Sequence, residues 1–334
     1  LTFYGGADGV TGANFMLEKK SSDNGGDDGI KILVDCGMIQ GSKFAENLNR
    51  SEFKYHPSSV DYLLATHSHI DHIGRIPKLV RDGFKGEILS TPETKELSRL
   101  MLEDSLKILE EEAREDGQLP LYEKEDVEKS LFLWNTLPYH ASRELKGGLA
   151  VYFKDAGHIL GSSIIEIIYN GKKIVFTGDL GNSPSPLLKD TEVVAGADYM
   201  IMESVYGDRN HEGKETRDLK FERAVRDIIS SGGTFLIPAF SLERTQVILY
   251  ELNNLFESKK IPSVSVYLDS PLAIRITDIY ERVKGMDNFN FKELHNTARV
   301  ADSREIAKVP GPKIIIAGSG MSTAGRILGH EEMF

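Results

Sequence analysis

Apolar and polar positions along this chain change their rhythm near residue 206. Before it, short apolar runs rich in Val, Ile, Phe and Tyr are punctuated by glycine and polar residues. They predict strands over Leu1 to Gly5, Gly12 to Glu18, Ile30 to Val34, Tyr62 to Ala65 and Glu87 to Ser90. Further strands are predicted over Ala150 to Lys154, Ser162 to Tyr169, Lys173 to Phe176 and Tyr199 to Met202. Pro92 to Asp116 and Glu123 to Trp134 read as helices, Asn170-Gly171 as a hairpin turn, and Ser21 to Gly29 as a polar hairpin tip. After Tyr206, helices (Thr216 to Ser231, Arg244 to Ser258, Pro271 to Lys284) alternate with strands (Gly233 to Pro238, Val264 to Leu268, Lys313 to Ala317). That alternation predicts βαβ units on a parallel sheet.

Five predicted strands end on residues able to do chemistry. Ile32-Leu33-Val34 delivers Asp35, and Val60 to Ala65 delivers Thr66-His67-Ser68-His69-Ile70-Asp71-His72. Later ends deliver His158 between Gly157 and Gly161, then Asp179, then Glu203. Neutral imidazole and carboxylate are the ligands that a borderline cation such as zinc accepts. Alternation along an extended backbone sends His67 and His69 to one side, where they can grip one metal. Asp71 and His72 lie past the turn and can reach a second.

Composition narrows the partners. The apolar fraction of 40% and single tryptophan suit an ordinary globular protein. No stretch approaches the roughly 20 apolar residues that span a bilayer, so no membrane partner is expected. The lone Cys36 excludes an internal disulfide and fits a reducing, cytoplasmic setting. The net charge of −11 argues against loose binding to nucleic-acid backbones. All of that excess lies in residues 1–205, much of it between Glu103 and Glu128, while residues 206–334 net to zero. A local positive site is therefore compatible with the overall acidity.

Together the ordered segments resemble the metallo-β-lactamase superfamily, and within it the β-CASP branch of RNA-processing nucleases. That branch includes ribonuclease J and the nuclease subunit of the pre-mRNA 3′-end cleavage factor. Leu1 to Gly6 with Val10-Thr11-Gly12 resembles the first hairpin of the family. The Asp35, His67-to-His72, His158 and Asp179 segments resemble its four metallo-β-lactamase motifs. Glu203-Ser204-Val205-Tyr206-Gly207 resembles the start of the β-CASP insertion. Ile237 to Gln246, Asp269 to Ala273 and Gly318 to Arg326 resemble blocks within it.

The resemblance implies an α/β protein: an αββα sandwich over residues 1–205, with a β-CASP domain over 206–334 that lacks its last part. It implies two zinc ions, with manganese as an alternative. His67, His69 and His158 would hold the first, Asp71 and His72 the second, and Asp179 would bridge them. Asp35, Asp71, Asp179 and Glu203 would serve catalysis. Asp35 would orient a ligand histidine or the hydroxide, and Glu203 would partner a histidine that the family carries later in its chain. The implied reaction is hydrolysis of single-stranded RNA by a two-metal-activated hydroxide, leaving a 5′-phosphate, in RNA processing or decay; endo- and exonucleolytic cleavage stay open. Arg244, Ser319, Gly320 and Arg326 are candidate phosphate holders. A salt bridge is the alternative for each arginine.

Two histidine motifs that follow the Ser-Gly-Met block in the family do not occur before Phe334. The expectation is a truncated chain, weakly active by itself, whose relatives often form homodimers. His330 lies too close to Arg326 to match those motifs. His140 lacks the glycine frame of His158, and His56, His211 and His295 sit in polar loops. The alternatives are a β-CASP DNA-repair nuclease, a metallo-hydrolase of small thioesters or lactones, and a non-catalytic partner subunit.

Overall fold

The computed structural model describes residues 1–20, 29–41, 43–210, 213–285, 289–322 and 324–334. The expected polar tip, apart from Gly29, together with His211 and Thr323, lies outside the described residues. The chain divides into two compact units, Leu1–Gly207 and Asp208–Phe334.

In the first unit one sheet runs in chain order: β1 (Thr2–Gly5), β2 (Asn14–Lys19), β3 (Ile30–Val34), β4 (Tyr62–Leu64), β5 (Glu87–Ser90) and β6 (Trp134–Thr136). The first two pairings are antiparallel and the rest parallel. Parallel neighbours need crossovers. These hold α1 (Lys43–Arg50), α2 (Ile70–Ile73), α3 (Ile76–Arg81), α4 (Pro92–Asp116) and α5 (Lys124–Phe132). A second sheet follows, from β7 (Ser142–Glu144), β8 (Ala150–Asp155), β9 (Ser163–Tyr169), β10 (Lys172–Phe176) and β11 (Tyr199–Ile201), in the order β11-β10-β9-β8-β7. Asn170 and Gly171, both at positive φ, make the tight turn between β9 and β10.

Period-two alternation explains why the central strands are apolar throughout. Leu33, Leu63 and Ile88 face helix residues Ile76, Leu79, Leu102 and Val127. Their neighbours Ile32, Leu64 and Leu89 face Val151, Phe153, Ile165, Ile167 and Phe176 of the second sheet. Helices, first sheet and second sheet thus stack in three layers. Both β6 and β7 escape the sequence reading. The run Leu131-Phe132-Leu133-Trp134 fits either period, and pairing of Trp134 with Ile88 ends α5 at Phe132.

The second unit is a parallel sheet of β12 (Thr234–Pro238), β13 (Ser265–Asp269), β14 (Leu294–Asn296) and β15 (Lys313–Ala317), ordered β12-β15-β13-β14. Helix α6 (Lys214–Ser231) precedes it, and α7 (Arg244–Glu257), α8 (Pro271–Lys284), α9 (Val300–Ile306) and α10 (Arg326–Met333) follow the four strands in turn. Among the described residues no helix is long and apolar enough to cross a membrane.

Candidate metal centre

Past β4 the chain stays extended through His69 (φ −67°, ψ 145°), which caps the short helix α2 carrying Asp71 and His72. The segment after β3 fastens that helix from below. Cys36 N–H donates to His72 O and Met38 N–H to Ile70 O, and Ala13 N–H donates to Asp71 O. The approach is so close that a Cβ on Gly37 would lie 1.5 Å from Asp71 O and 2.7 Å from His72 N. Gly37→Ala should therefore push α2 aside, costing at least the roughly 1–3 kcal/mol of an overpacked core. Thermal unfolding and a zinc titration check it: the variant should melt earlier and bind metal more weakly than the parent chain.

His158 arrives between β8 and β9, its N–H donating to Ser162 Oγ at 3.0 Å. Gly161 (φ 83°) lets the turn press on α4, where a Cβ would meet Thr94 N at 2.6 Å. Asp179 follows β10. His67 Nε2 and His158 Nε2 lie 3.1 and 3.2 Å from His69 Nδ1. Asp179 Oδ2 lies 3.8 Å from His67 Nε2 and 3.6 Å from His158 Nε2. Zinc bonds of about 2.0–2.1 Å imply tetrahedral edges of about 3.3–3.4 Å. The four donor atoms, all within 4.8 Å of one another, fit such an ion. The other Asp179 oxygen, Oδ1, faces His72 Nε2 at 3.3 Å, with Asp71 Oδ2 3.9 Å beyond that nitrogen.

The electrostatics favour donors over solvated charges. Burial, then repulsion by the neighbouring imidazoles, holds His67 well below the ordinary histidine range and His69 at about 3. Burial likewise lowers His158 and raises Asp71. At His72 burial is outweighed by Asp35 and Asp179, which hold the ring well above its usual value. Asp35, fully buried at φ 59°, accepts Thr66 N–H through Oδ1 (2.8 Å) and lies 2.7 Å from His72 Nδ1 through Oδ2. Glu203 accepts Leu180 N–H at 3.3 Å and Val205 N–H at 3.1 Å, which ties it to the backbone beside Asp179.

Residues 26–204 match a metallo-β-lactamase superfamily domain, and residues 245–333 match a β-CASP domain. This chain belongs to the metallo-β-lactamase superfamily. A ribonuclease of Thermus thermophilus is 36% identical over 315 residues, covering 90% of this chain and 70% of the relative. Cleavage and polyadenylation specificity factor 73 of Drosophila melanogaster is 30% identical, with 89% of this chain and 44% of the relative covered. A transcription termination factor of Methanosarcina mazei is 29% identical, covering 100% of this chain and 54% of the relative. The chain thus spans about half the length of the latter two.

In the β-CASP unit Arg244 opens α7 and is exposed. Arg326 is engaged instead of open: Nη1 donates to Asp269 Oδ1 and Thr297 O, and Nη2 to Ala298 O. The salt-bridge alternative describes its surroundings, because Asp269 ends the neighbouring strand with its carboxylate buried. Ser319 N–H donates to Ala324 O, and Gly320 packs where a Cβ would meet Phe240 N at 2.7 Å. His330 is buried, with Nε2 2.7 Å from Asp269. His140 pairs with Glu192 away from the centre, and His56 and His295 are exposed. Sequence reasoning gave no role to Gly37, nor to Asp269, although Asp269 opens one of the blocks it quoted. Both stand beside strand ends, the signal that found the other residues.

Proposed function

We propose that this protein is a zinc-dependent ribonuclease that hydrolyses phosphodiester bonds of single-stranded RNA. One observation carries the reading. The Asp179 carboxylate turns Oδ2 to His67 and His158 and Oδ1 to His72, in a chain similar to a ribonuclease over nine-tenths of its length. In this reading His67, His69, His158 and Asp179 hold one zinc, while Asp71 and His72 share Asp179 to hold another. Two such ions supply an acidified water and charge neutralisation at the phosphate. The protein's own groups supply position. Asp35 fixes the His72 ring, and Glu203 anchors the backbone at Leu180, next to Asp179. Manganese is the alternative occupant, since carboxylate and imidazole serve both ions. Residues 1–205 would carry the metal centre, and exposed Arg244 in residues 206–334 is the remaining arginine for a phosphate.

The test is cleavage of labelled single-stranded RNA by the full-length protein carrying Asp71→Ala together with His72→Ala. Activity should vanish while circular dichroism stays native, because the backbone oxygens still fasten the helix, Asp71 O accepting from Ala13 N–H and His72 O from Cys36 N–H. Undiminished cleavage would remove the mechanism. Product ends, expected as 5′-phosphate and 3′-hydroxyl, separate this chemistry from metal-free transesterification.

A further inference from the structure

The hydroxyl of Thr66 sits where groups of the metal centre meet, and no role above uses it. Thr66 Oγ1 lies 2.8 Å from Asp35 Oδ2 and 3.0 Å from His67 Nδ1. Its 3.4 Å approach to His72 Nδ1 is long, and that nitrogen has the nearer Asp35 Oδ2 at 2.7 Å. Thr66, Asp35 and His67 are all at most 1% exposed, so bulk water does not compete for these positions.

A hydroxyl has one proton and two lone pairs, and an ionised carboxylate only accepts. Thr66 therefore donates to Asp35 Oδ2 and has a lone pair left for an N–H on His67 Nδ1. His72 donates its own Nδ1–H directly to the same Oδ2. With Nδ1 protonated, His67 keeps its lone pair on Nε2, and His72, once a metal takes the place of its Nε2 proton, offers that nitrogen too. Those are the atoms that face Asp179, His67 Nε2 toward Oδ2 and His72 Nε2 toward Oδ1.

We propose that Thr66 is a positioning residue whose hydroxyl relays Asp35 to His67. One carboxylate oxygen thereby sets the metal-facing nitrogen of a histidine on each side of Asp179. The inference rests on the metal-centre reading and adds to it a link between the two positions. Outer partners of ligand histidines fix tautomer and ring orientation, and losing one typically costs about 10–100-fold in metal affinity. Packing is the competing role for this side chain, since a Cβ on Gly178 would lie 2.7 Å from Thr66 Cβ. Thr66→Ser keeps the hydroxyl without the methyl. Thr66→Val keeps the shape without the hydroxyl.

The experiment measures zinc affinity of this chain and both variants by competition with a chromophoric chelator. Nitrogen-15 spectra of the imidazoles accompany it, with and without zinc. Thr66→Val should bind zinc about 10–100-fold more weakly and let His67 sample both tautomers, whereas Thr66→Ser retains affinity and the Nδ1–H form. Wild-type affinity in Thr66→Val together with a loss in Thr66→Ser would mark packing and overturn the relay; wild-type affinity in both variants, or equal losses in both, overturns it too, since only the serine retains the hydroxyl. The unsubstituted chain judges it independently of how the variants fold: His67 protonated on Nε2 without metal overturns it. Absence of zinc binding by the unsubstituted chain would instead overturn the metal-centre reading, and the imidazole spectrum would still decide the hydrogen-bond relay.

Discussion

Asp179→Ala is expected to weaken zinc binding more than loss of any outer partner, by over the roughly 10–100-fold such partners are worth. The reason is geometric. His67 and His158 reach Oδ2, His72 reaches Oδ1, and Asp71 is the one other carboxylate in the proposed inner set. Alanine removes a donor from each side at once and takes away negative charge that a dication needs. Burial alone would raise this carboxyl, but the His72 hydrogen bond and the surrounding imidazoles pull it down, so it stays ionised at neutral pH. RNA cleavage should fall by about 10²–10³-fold or more, the scale of removing one group that stabilises transition-state charge. The fold should survive, since the side chain is one-third exposed. Chelator competition and a single-turnover assay check both numbers, with Glu192→Ala, which only loses the His140 pair, as the silent control. A variant that keeps both zinc and activity would show that the shared carboxylate is incidental.

Asp269→Ala should be the most damaging single change in the β-CASP unit, at about 3–5 kcal/mol, the usual cost of orphaning one half of a buried ion pair. Its fully buried carboxylate accepts from Arg326 Nη1 (2.6 Å), Ser303 Oγ (2.5 Å) and Thr297 Oγ1 (2.8 Å), with His330 Nε2 at 2.7 Å. These partners join the end of β13 to the loop after β14, to α9 and to α10. Removing the carboxylate leaves the Arg326 guanidinium with backbone carbonyls alone and no counter-charge, and takes a partner from three further polar groups. Asparagine is no remedy, because half of its amide donates where only acceptors fit.

The same network predicts a pH dependence. Burial pushes the Asp269 carboxyl up, but its four hydrogen-bond partners pull it from 3.8 to about 2. A folded value below the unfolded one means stability fully present above about pH 4 and lost as pH falls through 3.8 toward 2. Denaturant unfolding followed by far-ultraviolet circular dichroism should show the loss in the parent chain and not in Asp269→Ala. Fluorescence of Trp134, the sole tryptophan, reports on the first unit and gives the comparison. Parallel acid profiles for the two proteins would sink the assignment.

Much of the centre was legible before any coordinates. Five apolar runs end in Asp35, His67-to-His72, His158, Asp179 and Glu203, which marks them as strand ends without saying which sheet each belongs to. Ligand chemistry is equally local, since imidazole and carboxylate announce themselves at any position. Helix and strand periods also carried the alternation after residue 206, where α8 and β15 keep their expected bounds.

What only the tertiary structure decided is which atom of each side chain meets which partner. Arg326 illustrates it: its sequence suits a phosphate holder, but packing brings it to Asp269, 57 residues away. Asp35 meets His72 across 37 residues, and His158 meets His69 across 89. Trp134 likewise leaves its helix because β5 offers a ladder and Ser90 Oγ accepts its indole N–H. Composition and spacing set the local periods, which a short stretch of chain carries within itself. Orientation of a buried polar group depends instead on satisfying its hydrogen bonds with distant residues, and those meet only once the sheets have packed.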